Sequence, residues 1–155
     1  MLNFVLISGG VSSLIFCIII LLSWRFNPEV WIGEIEDSDA QSPQTPVTYA
    51  IFISIVATLV VGSYWAAWQY ASTVETTFLQ RFVAAWLVIA IINVVDLIVI
   101  DWLVNIVIDP KWMTIPGYDI QHMKVIQPHI KALFMGLLIA IPIALLAAAI
   151  SGVAS

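Results

Sequence analysis

Residues 82–108 read FVAAWLVIAIINVVDLIVIDWLVNIVI, an apolar run broken only by Asn93, Asp96, Asp101 and Asn105. As an α-helix rising about 1.5 Å per residue, it is longer than the hydrocarbon core of a bilayer, which is about 30 Å thick. It therefore predicts a transmembrane span. The run is continuous, whereas a membrane barrel needs short alternating strands, so a β-barrel is excluded.

Outward from this stretch, three more runs have the same character, at 2–24, 47–71 and 129–153. Together the four predict an all-α polytopic membrane protein, a four-helix transmembrane bundle forming one domain over 1–155. Composition agrees. Of 155 residues 62% are hydrophobic and 10% charged, against roughly half and a quarter in soluble domains, and the mean hydropathy is +1.05. Fifteen charged side chains cannot cover so much apolar surface, which excludes a large extramembrane domain. The net charge of -5 offers no basic patch for phosphates and excludes ordinary nucleic-acid binding. The single cysteine, Cys17, rules out an intrachain disulfide. No Lys or Arg precedes the first apolar run, so it is expected to remain in place as a span and not to be cleaved as a signal peptide.

The connections carry cap signals. Asn27-Pro28-Glu29 opens a short interfacial helix in loop one, with Val30, Trp31 and Ile35 toward lipid and Glu34, Glu36 and Asp37 toward water. Residues 38–46 read as a polar linker, and Thr45-Pro46 caps the second span. Ser72 and Glu75 fit a capping box that starts the third helix at about Thr73. In loop three, Pro116-Gly117 predicts a type II turn. Asp119 then caps a second interfacial helix along Ile120, Met123 and Ile126, which ends at Pro128. Four of the five basic residues, Arg25, Lys111, Lys124 and Lys131, flank loops one and three, and only Arg81 lies opposite. The positive-inside rule places those loops in the cytoplasm.

Small residues recur every fourth position, as Ala50, Ser54, Thr58, Gly62 and Ala66 in span two and Ala132, Gly136, Ala140, Ala144, Ala148 and Gly152 in span four. Such rows let helix backbones approach closely in lipid, within one chain or between copies. Pro142 removes a backbone donor near the middle of span four.

Asp96 falls near the middle of span three and must face protein or water, because an ionised Asp there costs about 2.5 to 3.5 kcal/mol on insertion scales. With α-helical winding, Asn93 and Asp96 lie about 60° apart and Asp101 and Asn105 about 40° apart. The same winding places Asp96 and Asp101 on different sides of the helix. Two readings stand: a proton- or cation-responsive site, or a carboxyl bonded to Ser54, Thr58 or Asn93 that ties helices together. Asp109, His122 and His129 are weak candidates for metal ligation, and their spacing does not demand a metal. The competing role for His129 is a bond to a loop carbonyl at the membrane boundary. Trp24, Trp31, Trp102 and Trp112 at one surface and Trp65 and Trp68 at the other read as aromatic belts, with a pigment or quinone pocket the less favoured alternative. Phosphate loops, serine-nucleophile arrangements and CxxC pairs are absent from the sequence, and no cofactor is expected.

Two stretches carry a family likeness: Phe26-Asn27-Pro28-Glu29-Val30-Trp31-Ile32, and Asp96 to Trp102 followed by Pro110-Lys111 and Ile115-Pro116-Gly117 before His129. Over most of its length the chain resembles a group of small, uncharacterised prokaryotic integral membrane proteins with four spans. Glu29 and the acidic cluster from Glu34 to Asp39 depart from that group's pattern. The resemblance implies a layout in a prokaryotic plasma membrane and no reaction.

The sequence thus favours a non-enzymatic binding, accessory or oligomer-forming membrane module, partnered by the lipid bilayer and by copies of itself or a larger membrane complex. The alternative is a small proton- or ion-linked transporter centred on Asp96, with Asn93 and Asp101 beside its path. A membrane-embedded enzyme acting on lipid or quinone through Asp101, Asp109, His122 and His129 ranks third.

Overall fold

The computed structural model describes residues 1–31, 45–113 and 125–153. His122, the helix expected after Asp119, and the loop-one helix beyond Trp31 lie outside the described residues. Four long helices form the fold: α1 (Leu2–Phe26), α2 (Pro46–Ala71), α3 (Phe78–Ile108) and α4 (Ile126–Ser151), each long and apolar enough to cross a membrane. No strand occurs among the described residues. The chain is a multi-pass, all-α membrane protein.

Helix ends follow local chemistry. The backbone of Asn27 closes α1 by donating to the Ser23 carbonyl at 2.8 Å. Pro28 then begins a single 3-10 turn, Pro28–Trp31, which folds back against the end of α1. Thr45 caps α2 as expected, its hydroxyl accepting the Thr48 N–H at 3.2 Å, with Pro46 in the first turn.

The start of α3 differs from the sequence expectation. Ser72 belongs to the end of α2, where its hydroxyl and that of Thr73 donate to carbonyls of Gln69 and Tyr70. The capping box is supplied five residues later by Thr77 and Gln80, each bonding the other's backbone N–H.

The bundle is small inside and large outside. Leu6, Leu14, Leu79, Leu138 and similar side chains are exposed, whereas Ala66, Ala67, Ala84, Ala85, Ala140, Ala144 and Ala148 are wholly buried. Hydrophobic burial gains little in lipid, so small side chains belong where backbones meet and bulky ones face the acyl chains. The α2–α3 hairpin is central, and α1 and α4 each pack against both of its helices. A Cβ on Gly62 would fall on the Ser12 hydroxyl of α1, and one on Gly136 would fall on Oδ1 of Asn93. The α2 row is thus buried from Gly62 onward. Ala50 and Ser54 are exposed, and the hydroxyls of Ser54 and Thr58 donate to their own helix, at Ala50 and Ser54 carbonyls. On α4 the buried part of the row runs through Ala140, Ala144 and Ala148.

Two longer side chains tie α3 to α4. Trp86 donates its indole N–H to the Leu137 carbonyl at 3.2 Å, one residue before the carbonyl that Pro142 leaves without its usual donor. Arg81 donates to the Ala148 carbonyl at 3.2 Å, placing positive charge at the C-terminal end of α4, where the helix dipole is negative.

Candidate functional site

Up to Val95, α3 is an ordinary α-helix; from Asp96 to Ile108 it winds as a π-helix. The wider winding is visible at its end, where the Asp109 N–H donates to the carbonyl of Val104, five residues back, at 3.0 Å. Pro110 disfavours right-handed helical geometry at Asp109, which leaves the helix in the left-handed region at φ 45. An acidic residue with a short polar side chain tolerates that conformation.

The winding decides which side chains meet. At about 100° per residue, Asp101 would lie roughly 140° from Asp96 and Asn105 roughly 180° from it. A π-helix has roughly 4.4 residues per turn, or about 82° per residue, which brings Asp101 to about 50° and Asn105 to about 16° from Asp96. The expectation that the two carboxyls point to different sides is therefore corrected: Asp96, Asp101 and Asn105 share one face and line one pocket. π-winding is rare and, in its usual single-turn form, is frequent at functional sites.

The pocket has a volume of about 500 Å³, within the usual range for small-molecule sites. It lies at the end of the bundle where α1 finishes and α4 begins. All four helices and the Pro28–Trp31 turn contribute to it. Asp96, Asp101, Asn105 and His129 supply the polar groups; Phe16, Trp24, Trp31 and Phe52 supply rings.

His129, in the first turns of α4, faces Asp101 with Nδ1 3.0 Å from Oδ1. Both side chains are largely buried, at 11% and 16% exposure, so the pair fixes α4 against the π-wound part of α3. His129 is thus held by a carboxylate, a partner the sequence reading did not anticipate. Asn105 is 9% exposed and makes no side-chain hydrogen bond among the described residues.

The rings form an ordered wall. Trp24 and Trp31 stack at 5.9 Å between centroids with planes 7° apart, and Phe52 leans on Trp31 at 6.4 Å. Trp31 donates its indole N–H to the Ser23 hydroxyl at 3.0 Å, and that hydroxyl donates to the Ile20 carbonyl. Belt positions do not describe this pair: Trp24 and Trp31 are 3% and 5% exposed and belong to the core. Trp65, Trp102 and Trp112 are exposed, as a belt requires.

On the N-terminal side of Asp96 the inward face of α3 is tightly packed. Val88, Ile89 and Ile92 are buried to 1% exposure or less, and Val88 and Ile92 pack with Val5, Ala66 and Ala84.

The remaining sequence candidates lie elsewhere. Asn93 does not line the pocket; its amide donates to the Ile89 carbonyl at 2.9 Å, and its carbonyl oxygen lies against Gly136. Ser54, Thr58, Gly62, Gly136, Ala140 and Ala144 also lie outside the lining. Asp109 is exposed at the end of α3 and takes no part in the pocket. Among the described residues no three His, Cys, Asp or Glu side chains are grouped to hold a metal ion.

Sequence reasoning missed the ring wall and the common face. A signal for the second exists: the polar positions 96, 101 and 105 are five and four apart, a mean close to the π period and far from 3.6. No protein-family model matches the sequence, and searches of curated proteins and of solved structures each found no match.

Proposed function

We propose that the protein is a non-enzymatic membrane binding module whose pocket takes a positively charged ligand. The observation that carries this reading is the convergence of Asp96, Asp101 and Asn105 on one pocket-lining face of α3. Among the described residues the lining carries two carboxyls and one imidazole. A lining whose carboxyls outnumber its basic groups attracts cations and repels anions. Among the described residues the lining contains no Ser, Thr, Cys or Lys, so they bring none of the usual covalent nucleophiles to it. That favours binding over the enzyme reading.

A transporter centred on Asp96 is the second reading, supported by the depth of that residue in the span. It requires the layer of Val88, Ile89 and Ile92 to open. The exposed Ala50 and Ser54 end of the α2 row supports a homo-oligomer. The family resemblance supports a prokaryotic plasma membrane, and the distribution of basic residues supports loops one and three in the cytoplasm.

The test is thermal unfolding of the purified protein in lipid nanodiscs against a panel of Na+, K+, Ca2+ and organic ammonium ions at constant ionic strength. At least one cation is expected to raise the melting temperature of the wild type and to have no such effect on the Asp96→Asn/Asp101→Asn double variant. A wild type that responds to no cation, or a double variant that responds equally, refutes the reading.

A further inference from the structure

At the end of the bundle opposite the pocket, we infer that the α2–α3 turn holds the headgroup of a zwitterionic phospholipid, its phosphate on Arg81 and its ammonium toward Glu75. The inference rests on different residues from the cation-binding reading and is independent of it.

Arg81 stands in the first turn of α3 and is the only basic residue of the sequence outside the flanks of loops one and three. Its side chain is partly buried. Nε donates to the Ala148 carbonyl at 3.2 Å, and Nη1 donates to the carbonyl of Thr76 at 3.2 Å and lies 3.4 Å from its hydroxyl. These bonds fix the guanidinium against the end of α4 without neutralising it, because every acceptor is uncharged and no carboxylate among the described residues pairs with it. Nη2, beside Gly152, makes no hydrogen bond among the described residues. A held guanidinium with donors to spare suits a phosphate, whose oxygens match its planar fork.

Glu75 is the second charge. It is exposed and takes part in no ion pair or hydrogen bond among the described residues. Arg81 and Glu75 line one depression of about 790 Å³, together with Trp68, Val74 and Thr76, yet they do not bond to each other. An anion drawn to Arg81 is repelled by Glu75, and a cation drawn to Glu75 is repelled by Arg81. A molecule that carries both charges, joined by a short link, satisfies both.

The position selects lipid as the source. Trp68 lines the depression and Trp65 lies 5.4 Å from it between ring centroids, and indole rings gather at the level of lipid headgroups. Val74, Phe78 and Leu79 are exposed around the same turn. Apolar side chains placed there meet acyl chains, while the two charges meet the head.

The test is native mass spectrometry of the full-length protein in a neutral detergent, reading the dissociation constant of the first bound lipid. Phosphatidylethanolamine, phosphatidylglycerol with the same chains, and inorganic phosphate are the probes. Phosphatidylethanolamine is expected to bind about two- to fivefold more tightly than phosphatidylglycerol, as an exposed charge contact implies, and inorganic phosphate far more weakly than either. Arg81→Gln should weaken both lipids by roughly tenfold, the loss of a charge-assisted hydrogen bond. Glu75→Gln, at an exposed position that ties no helix to another, should keep the fold and turn the preference toward phosphatidylglycerol. A folding defect cannot produce that reversal, so Glu75→Gln decides alone if the loss of the α3–α4 tie unfolds Arg81→Gln.

Inorganic phosphate binding as tightly as the lipids would make a soluble phosphate compound the ligand and overturn the lipid assignment. A wild type that prefers phosphatidylglycerol, or a preference unmoved by Glu75→Gln, overturns the zwitterion. A folded Arg81→Gln that binds phosphatidylethanolamine like the wild type overturns the site.

Discussion

Asn105→Leu should make the protein more stable. The side chain is 9% exposed, lies in the wide-wound part of α3, and has no hydrogen-bond partner among the described residues. Burying an amide without a partner costs about 1 to 3 kcal/mol in mutational series. Leucine has the same branching, has no such penalty, and can extend its larger methyl groups into the cavity that Asn105 lines. Part of the penalty is relieved where the amide borders the cavity, which puts the expected gain at roughly 1 to 2 kcal/mol. In a chain of this size 1 kcal/mol moves the melting temperature by about 2 to 4 °C, so a rise of about 2 to 8 °C is expected in nanodiscs without ligand. Asn93→Leu supplies the opposite sign on the same helix. That amide already donates to the Ile89 carbonyl at 2.9 Å, and its oxygen lies against the backbone of Gly136. A branched apolar side chain there should cost about 1 to 3 kcal/mol by overpacking. The two melting curves should therefore move apart. A lowered melting temperature for Asn105→Leu, or shifts of the same sign for both, would refute the claim that the Asn105 amide is a net cost to the fold.

The packing and the helix boundary can be checked by the same melt. Gly136→Ala places a methyl group on Oδ1 of Asn93 and should cost about 1 to 3 kcal/mol; a neutral effect would mean that α3 and α4 do not approach as closely as described. Thr77→Ala removes the hydroxyl of the capping box and should cost about 1 kcal/mol. Ser72→Ala should cost less, since its hydroxyl only donates to a carbonyl at the exposed end of α2, and the reverse order would return the start of α3 to Thr73.

The spans were legible because a membrane helix advertises itself by length and apolarity. The runs at 2–24, 47–71, 82–108 and 129–153 sit inside or within two residues of α1 to α4. Caps were legible where a single signal stood alone, as at Thr45-Pro46, and misleading where several hydroxyls competed between Ser72 and Thr77. The buried halves of the small-residue rows were legible too. Whether Ala50 and Ser54 face a neighbour is not a property of spacing, because nothing in a four-residue repeat marks where a helix leaves the bundle.

The pocket was half legible. Asp96, Asp101 and Asn105 stand out as polar residues in lipid, but their common face depends on winding, and α-helical winding scatters them. Trp24 and Trp31 fit a belt by position along the sequence. Only the turn at Asn27-Pro28, which carries Trp31 back onto Trp24, converts two surface rings into a stacked wall.

The buried side chains of Val88, Ile89 and Ile92 have a consequence for passage along the bundle. Side chains buried this completely stand between the cavity and the N-terminal end of α3, so passage along the inside of the bundle would require all three to move.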